Sequence, residues 1–388
     1  MKPLPPLYTS LVQALRCHRN WLDARHLQTL AWMVSGLIQA KTVSLGAWAL
    51  HVHSRATFVA STIRRFRRFL DNQRIDVDSL YAPLLSHVLL EGNPHTLYVA
   101  LDTSLLWNSY CVVRLSLIYR GRAVPMVWKV LAHGSASVSF ETYQELLDHA
   151  AQGLFPFHCK VILLADRGFA DTELMDYLDQ LGWHWRLRIK ESFWIYQKSQ
   201  PGRQVRSLRL REGQPRFWQG VQITQQRFGP VSLALGRPFN STERWVVVSD
   251  EPTSLETFGE YGLRFDIEEN FLDDKSNGFQ LEASQIRSAT ALTRLCLVLA
   301  VATLYLVSQG TKVVQQGKRR WVDAHWFRGH SYLKIGWYWV HRALARGEEL
   351  INHFALSFEP DPEPAMASRI QHHKRTQPRF ATPAAKAA

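Results

Sequence analysis

Two short apolar runs, each stopping at an aspartate, constrain this chain more than any other feature. Residues 97–101 lead into Asp102, and residues 160–165 lead into Asp166. Runs of this length are too short for helices and suit buried strands, whose side chains face packed layers on both sides. Two further strand-like runs, 111–119 and 123–131, lie between them, joined by the turn signal Arg120-Gly121-Arg122. A helical stretch is predicted over 139–152, a helix over 170–181 and a strand over 183–189.

The resulting order is three strands, helix, strand, helix, strand. It is the order of an α/β ribonuclease H-like core, in which an antiparallel meander continues into a parallel section. A carboxylate at the end of a buried strand is held rigidly yet meets solvent. Two such ends on neighbouring strands would bring Asp102 and Asp166 together, and paired carboxylates repel unless a divalent cation lies between them. Hard cations such as Mg²⁺ take oxygen ligands. Either aspartate alone also reads as a turn cap. The sequences that follow, Asp166-Arg167-Gly168-Phe169 and Asp102-Thr103-Ser104, place turns directly after the carboxylates.

The flanking regions differ in character. Residues 1–92 are expected to form a helical N-terminal DNA-binding domain, with apolar residues Leu27, Leu30, Val34, Leu37 and Ile38 at helical spacing. Helices are predicted over 43–53 and 56–71, the second capped by Ser54 and carrying Arg64, Arg65, Arg67 and Arg68. This pattern fits a helix-turn-helix whose second helix enters a major groove. It fits a helical bundle with a solvated basic face equally. Residues 93–190 and 258–310 are assigned to the core. Residues 191–257 are assigned to a β-rich insertion, with strands expected over 205–210, 219–225, 231–235 and 245–249. Residues 311–358 are assigned to C-terminal helices. Residues 359–388, rich in Pro, Ala, His and basic residues, are expected to be disordered.

Composition narrows the function. The 46 Lys and Arg outnumber the 33 Asp and Glu, a formal charge of +13. That surplus favours a polyanionic partner, because each neutralised phosphate releases condensed counterions. The four cysteines form no C-x-x-C pair and no metal-site spacing, and a reducing compartment suits them. Residues 1–6 contain no apolar h-region, so no secretory signal is expected. The apolar stretch 295–307 is shorter than the roughly 20 residues of a membrane span and reads as a buried helix. No Gly-rich phosphate loop is visible, which argues against a nucleotide cofactor.

One further constellation is sharper. Tyr261, Arg264, Glu268 and Lys275 fall within about 60° of one another if they share a single helix of 3.6 residues per turn. A carboxylate on one stripe with two cations and a phenol suits a metal and a phosphodiester together. An exposed Arg264–Glu268 ion pair is the plainer reading. The spacing Tyr261-x2-Arg264-x3-Glu268-x6-Lys275 resembles the Tyr–Arg–Glu–Lys signature of insertion sequence family four, within the DDE transposase superfamily. The segment 274–282 and the sequences around Asp102 and Asp166 resemble that family too, as does an insertion between the second Asp and the Glu. The similarity spans about residues 90–345.

The resemblance implies a bacterial cut-and-paste DNA transposase, cytoplasmic and nucleoid-associated, with no membrane partner. Asp102, Asp166 and Glu268 would hold two Mg²⁺ ions, with Mn²⁺ as a substitute, for in-line displacement at the transposon end. The family route is nicking, a hairpin intermediate, and joining to target DNA, carried out by a homodimer on paired terminal inverted repeats. Tyr261, Arg264 and Lys275 would grip phosphates without reading bases. Trp218 and Trp245 are candidate platforms for a flipped base, each with the alternative of being core. Two other readings remain: a two-metal endonuclease without strand transfer, and a non-catalytic DNA-binding regulator derived from a transposase.

Overall fold

Most of the helices begin where the sequence supplies a side-chain oxygen for the first free backbone N–H groups. A computed structural model describes residues 4–16, 21, 23–53, 56–154, 157–198, 200–239, 241–325, 329–364 and 380. In chain order it contains helices α1 (Pro6–Arg16), α2 (Ala24–Ala40), α3 (Leu45–Ala49), α4 (Val59–Asp71) and α5 (Val77–Gly92). Strands β1 (Thr96–Leu106), β2 (Tyr110–Tyr119) and β3 (Arg122–Leu131) follow, then α6 (Phe140–Leu154), β4 (Lys160–Ala165), α7 (Thr172–Gln180) and β5 (His184–Arg188). Next come β6 (Trp194–Tyr196), β7 (Arg203–Gln204), β8 (Pro215–Ile223), β9 (Phe228–Gly236) and β10 (Trp245–Ser249). Helices α8 (Leu255–Gly262), α9 (Phe265–Leu272), α10 (Ala289–Gln315) and α11 (Tyr332–Arg346) complete the set. Asp23 caps α2, Ser44 caps α3, Asp171 caps α7, Ser288 caps α10 and Ser331 caps α11. Ser254 and Thr257 form a reciprocal capping box at α8.

The chain divides into two compact units, each drawn from several segments. The first takes residues of Met1–Pro94, Thr103–His158 and Ile267–Ser368. Its centre is α10, whose residues from Leu295 to Val307 are all buried, as their apolar run predicts. By length and composition α10 would suffice to cross a membrane, but most of it is covered by protein. Gly310 and Gly336 let α10 and α11 meet backbone to backbone. A Cβ on Gly336 would stand 1.8 Å from the Leu306 carbonyl oxygen. The β2–β3 hairpin turns at Arg120 and Gly121, both at positive φ, as the turn signal requires.

The second unit takes His95–Asp102, Cys159–Asp266 and, from the chain's end, Phe380. Within it the strands are ordered β1-β4-β5-β10-β9-β8-β6-β7. β1 pairs with β4 and β4 with β5 in parallel. β10 is antiparallel to both β5 and β9, so the run 245–249 extends the parallel section directly. The mixed α/β architecture is compatible with a ribonuclease H-like domain.

Several expectations need correction. The helix expected over 43–53 is only α3, five residues long. Ser54 lies outside the described residues, and α4 begins instead after Phe58, which gives no side-chain cap. Residues 205–210 are not a strand. Val205–Ser207 form a 3₁₀ turn, because Val205 and Leu208 bury at i, i+3 and the Leu208 N–H closes on the Val205 carbonyl. The tail expectation falls mainly outside the described residues. Two of its described residues are held: Glu363 pairs with Arg320, and Phe380 packs on Phe258 at 4.5 Å between ring centres.

Candidate active site

Leu101 of β1 and Ala165 of β4 are partners in the parallel register. Asp102 and Asp166 are the next residue on each chain. Neighbouring strands run about 4.8 Å apart, so the register delivers the two aspartates side by side. β4 stops there because the chain turns, the Phe169 N–H donating to the Asp166 carbonyl. β1 does not stop. It continues to Leu106 and turns at Trp107 and Asn108, both at positive φ. Asp102 thus marks the end of pairing with β4 rather than the end of its own strand.

The Asp102 carboxylate is mostly enclosed and accepts a hydrogen bond from Arg264 Nη1 at 3.0 Å. Arg264 is itself buried, its guanidinium 5.0 Å from the Phe265 ring and 5.9 Å from the Tyr261 ring. Tyr261 is fully buried beside Phe258 and Val247, with Trp245 edge-on at 5.5 Å. Burial pushes the Tyr261 hydroxyl up to about 12; Arg264 and Arg188 oppose that rise and Asp166 adds to it. Tyr261 therefore stays a neutral phenol, props Arg264 and faces the Asp166 charge from inside the core.

The single helical stripe expected for Tyr261, Arg264, Glu268 and Lys275 is not present. Tyr261 lies in the last turn of α8, Arg264 sits in a turn, Glu268 is exposed on α9, and Lys275 lies in a π-helical turn, Asp273–Asn277. Tertiary contacts break the helix twice. At the first break Tyr261 and Arg264 are drawn inward, and three-residue bonds replace helical ones, Arg264 N–H to Tyr261 and Asp266 N–H to Leu263. At the second, Asp273 and Asp274 are drawn to Arg122 at 2.6 Å and to Arg114 at 2.7 Å. Glu268 and Lys275 belong to the first unit, and Asp102, Asp166, Tyr261 and Arg264 to the second.

Trp245 is core, packed against Phe258, Tyr261 and Phe265, and offers no face to a flipped base. Trp218 lies on β8 opposite Leu233 and is half-buried. Arg64, Arg67 and Arg68 are exposed on α4, whereas Arg65 is partly covered; the buried face of that helix is Thr62, Phe66, Phe69 and Leu70.

Sequence reading missed the two arginines that anchor the π-helical turn. Arg114 is the one charged residue of β2, a mostly apolar strand, and a charge there needs a buried partner. That isolation was the available signal. A second missed group is His184, Asp250 and Glu251, whose ligand atoms lie within 4.8 Å of one another. Lys160 and Arg186 already compensate these carboxylates, binding Glu251 at 2.6 Å each.

The chain matches the transposase DDE domain family over residues 108–305, just over half its length. It belongs to that family. The transposase thus falls in a class of DNA-cleaving and strand-transferring enzymes that generally use a divalent metal. The match contains Asp166, Glu268 and the Tyr261–Lys275 segment, and starts shortly after Asp102. No curated protein matches the transposase. Asp102 and Asp166 suit the metal: both are hard oxygen donors adjacent in register, and Arg264 now supplies the positive charge that Asp102 faces.

Proposed function

We propose that this transposase carries out metal-dependent cut-and-paste transposition of an insertion sequence, with Asp102, Asp166 and Glu268 as its metal ligands. The observation that carries the reading is the register of β1 and β4, in which Asp102 and Asp166 directly follow the last paired residues, Leu101 and Ala165. Bound Mg²⁺ would supply Lewis-acid stabilisation and a nucleophile at neutral pH for in-line displacement at a phosphodiester. The protein's own part is to hold two carboxylates on a rigid sheet and to keep Arg264 against Asp102 until another cation takes that place. Lys275 is the phosphate contact of the signature segment, and Arg264, once released from Asp102, is a second. Tyr261 supports Arg264 from the core. The resemblance to insertion sequence family four supports the hairpin route and a dimer on paired ends. The exposed arginines of α4 support DNA binding by the N-terminal helices.

A plasmid carrying the gene's flanking inverted repeats tests the reading. Mg²⁺-dependent excision and joining to target is the expected result. Cutting without joining would make the protein an endonuclease, and binding without cutting would make it a regulator.

A further inference from the structure

A cleft of about 560 Å³ lies within the first unit, lined by segments that carry none of the three carboxylates. Ser44 and the α4 residue Arg67 line it, as do Ser284, Arg287 and Ser288 on the approach to α10. Arg287 is set in place before any ligand arrives. Its guanidinium lies 3.7 Å over the Trp107 ring, and its Nη1 donates to the carbonyls of Ser284 at 2.6 Å and Ile286 at 3.0 Å. Trp107 is fixed in turn, its indole N–H donating to the Glu282 carbonyl at 2.9 Å. Arg287 has no carboxylate partner among the described residues. Arg67 is exposed and has neither an ion pair nor a hydrogen bond among them. Asp71 is the carboxylate in the lining, and it lies in the field of the buried Arg294.

We propose that this cleft is a DNA-phosphate site, in which Arg67 and Arg287 hold one stretch of backbone from two sides. A guanidinium fork matches phosphate oxygens, and stacking on an indole lowers the entropy lost when the fork engages. The volume accommodates a nucleotide-sized segment. Such a contact sets the position of DNA on the protein and carries no sequence information. It would tie α4 and the segment preceding α10 to the same strand. The proposal rests on the family's DNA substrate and not on the metal chemistry of Asp102 and Asp166.

The test is binding of the full chain to a random-sequence DNA duplex in EDTA, by fluorescence anisotropy across a salt series. Arg67→Gln and Arg287→Gln should each lower the slope of log affinity against log salt by roughly 0.9, the loss of one phosphate contact. Trp107→Leu, which frees the Arg287 side chain, should weaken binding while leaving most of the slope. Arg209→Gln removes an exposed arginine of the second unit and should change neither. Wild-type slopes for Arg67→Gln and Arg287→Gln would overturn the proposal. An equal fall in Arg209→Gln would reduce the effect to net charge and overturn it too. Because no metal is present, failure of the catalytic reading would leave these slopes unchanged.

Discussion

Two arginine–aspartate pairs, one in each unit, show how similar chemistry is put to different uses. Arg114 and Asp274 meet at 2.7 Å with 1% and 2% of their side chains exposed. Arg264 and Asp102 meet at 3.0 Å with 5% and 17% exposed. In the first pair both charges are sealed, Asn270 accepts from the same Arg114 nitrogen, and Phe271 lies against the guanidinium. Burial pushes the Asp274 carboxyl up and Arg114 pulls it back. That pair is a lock for the turn that carries Lys275. In the second pair the carboxylate reaches solvent and, like Asp166, directly follows the last paired residue of its strand. In the proposed function its arginine gives way to another cation.

The largest expected effect lies at the open pair. Asp102→Asn, Asp166→Asn and Glu268→Gln should each cut Mg²⁺-dependent DNA cleavage by more than about 100-fold, beyond the loss typical of groups that merely orient a metal ligand. DNA binding should persist. Full cleavage by any one of them removes that residue from the site.

At the sealed pair the effect should appear in stability. Asp274→Ala leaves Arg114 buried and uncompensated, which costs about 3–5 kcal/mol, readable by urea denaturation. Asp102→Asn should cost clearly less, because it also relieves repulsion with Asp166. Equal losses would erase the distinction between lock and exchangeable contact.

A smaller effect is expected from Arg264→Gln. Removing the cation beside Asp102 should raise Mn²⁺ affinity, by up to roughly tenfold for a neighbouring-charge effect near one pKa unit. The smallest concerns acid. Glu251 is held down to about 2: burial raises it, but the Lys160 and Arg186 bonds lower it more. A depressed carboxylate contributes stability above its unfolded value of 4.5 and loses it as pH falls toward 2. Glu251→Gln should flatten that part of the acid limb of a thermal melt series. An unchanged limb would mean that Glu251 is not held as its contacts indicate.

The parts legible in the sequence were those that local pattern controls. The apolar runs at 97–101 and 160–165 became adjacent parallel strands, the 120–122 turn became a hairpin, and 295–307 became the buried centre of α10. The stripe of Tyr261, Arg264, Glu268 and Lys275 was misread in geometry. Periodicity of 3.6 residues assumes an unbroken helix, and here distant partners decide where it breaks: Trp245 and Asp102 at one point, Arg114 and Arg122 at the other. Trp245 carried both readings, base platform and core, because alternation in a short strand does not reveal which face another helix will cover. The sequence signalled that Arg114 needs a buried partner but not which one, because Asp274 lies about 160 residues away.

The most direct test is Mn²⁺ binding to the intact protein, followed by electron paramagnetic resonance. Asp102→Asn and Asp166→Asn should lose the bound ion, Arg264→Gln should tighten it, and His184→Ala should leave it unchanged. Wild-type binding in both aspartate variants, with loss in His184→Ala, would move the metal to His184, Asp250 and Glu251 and contradict the account.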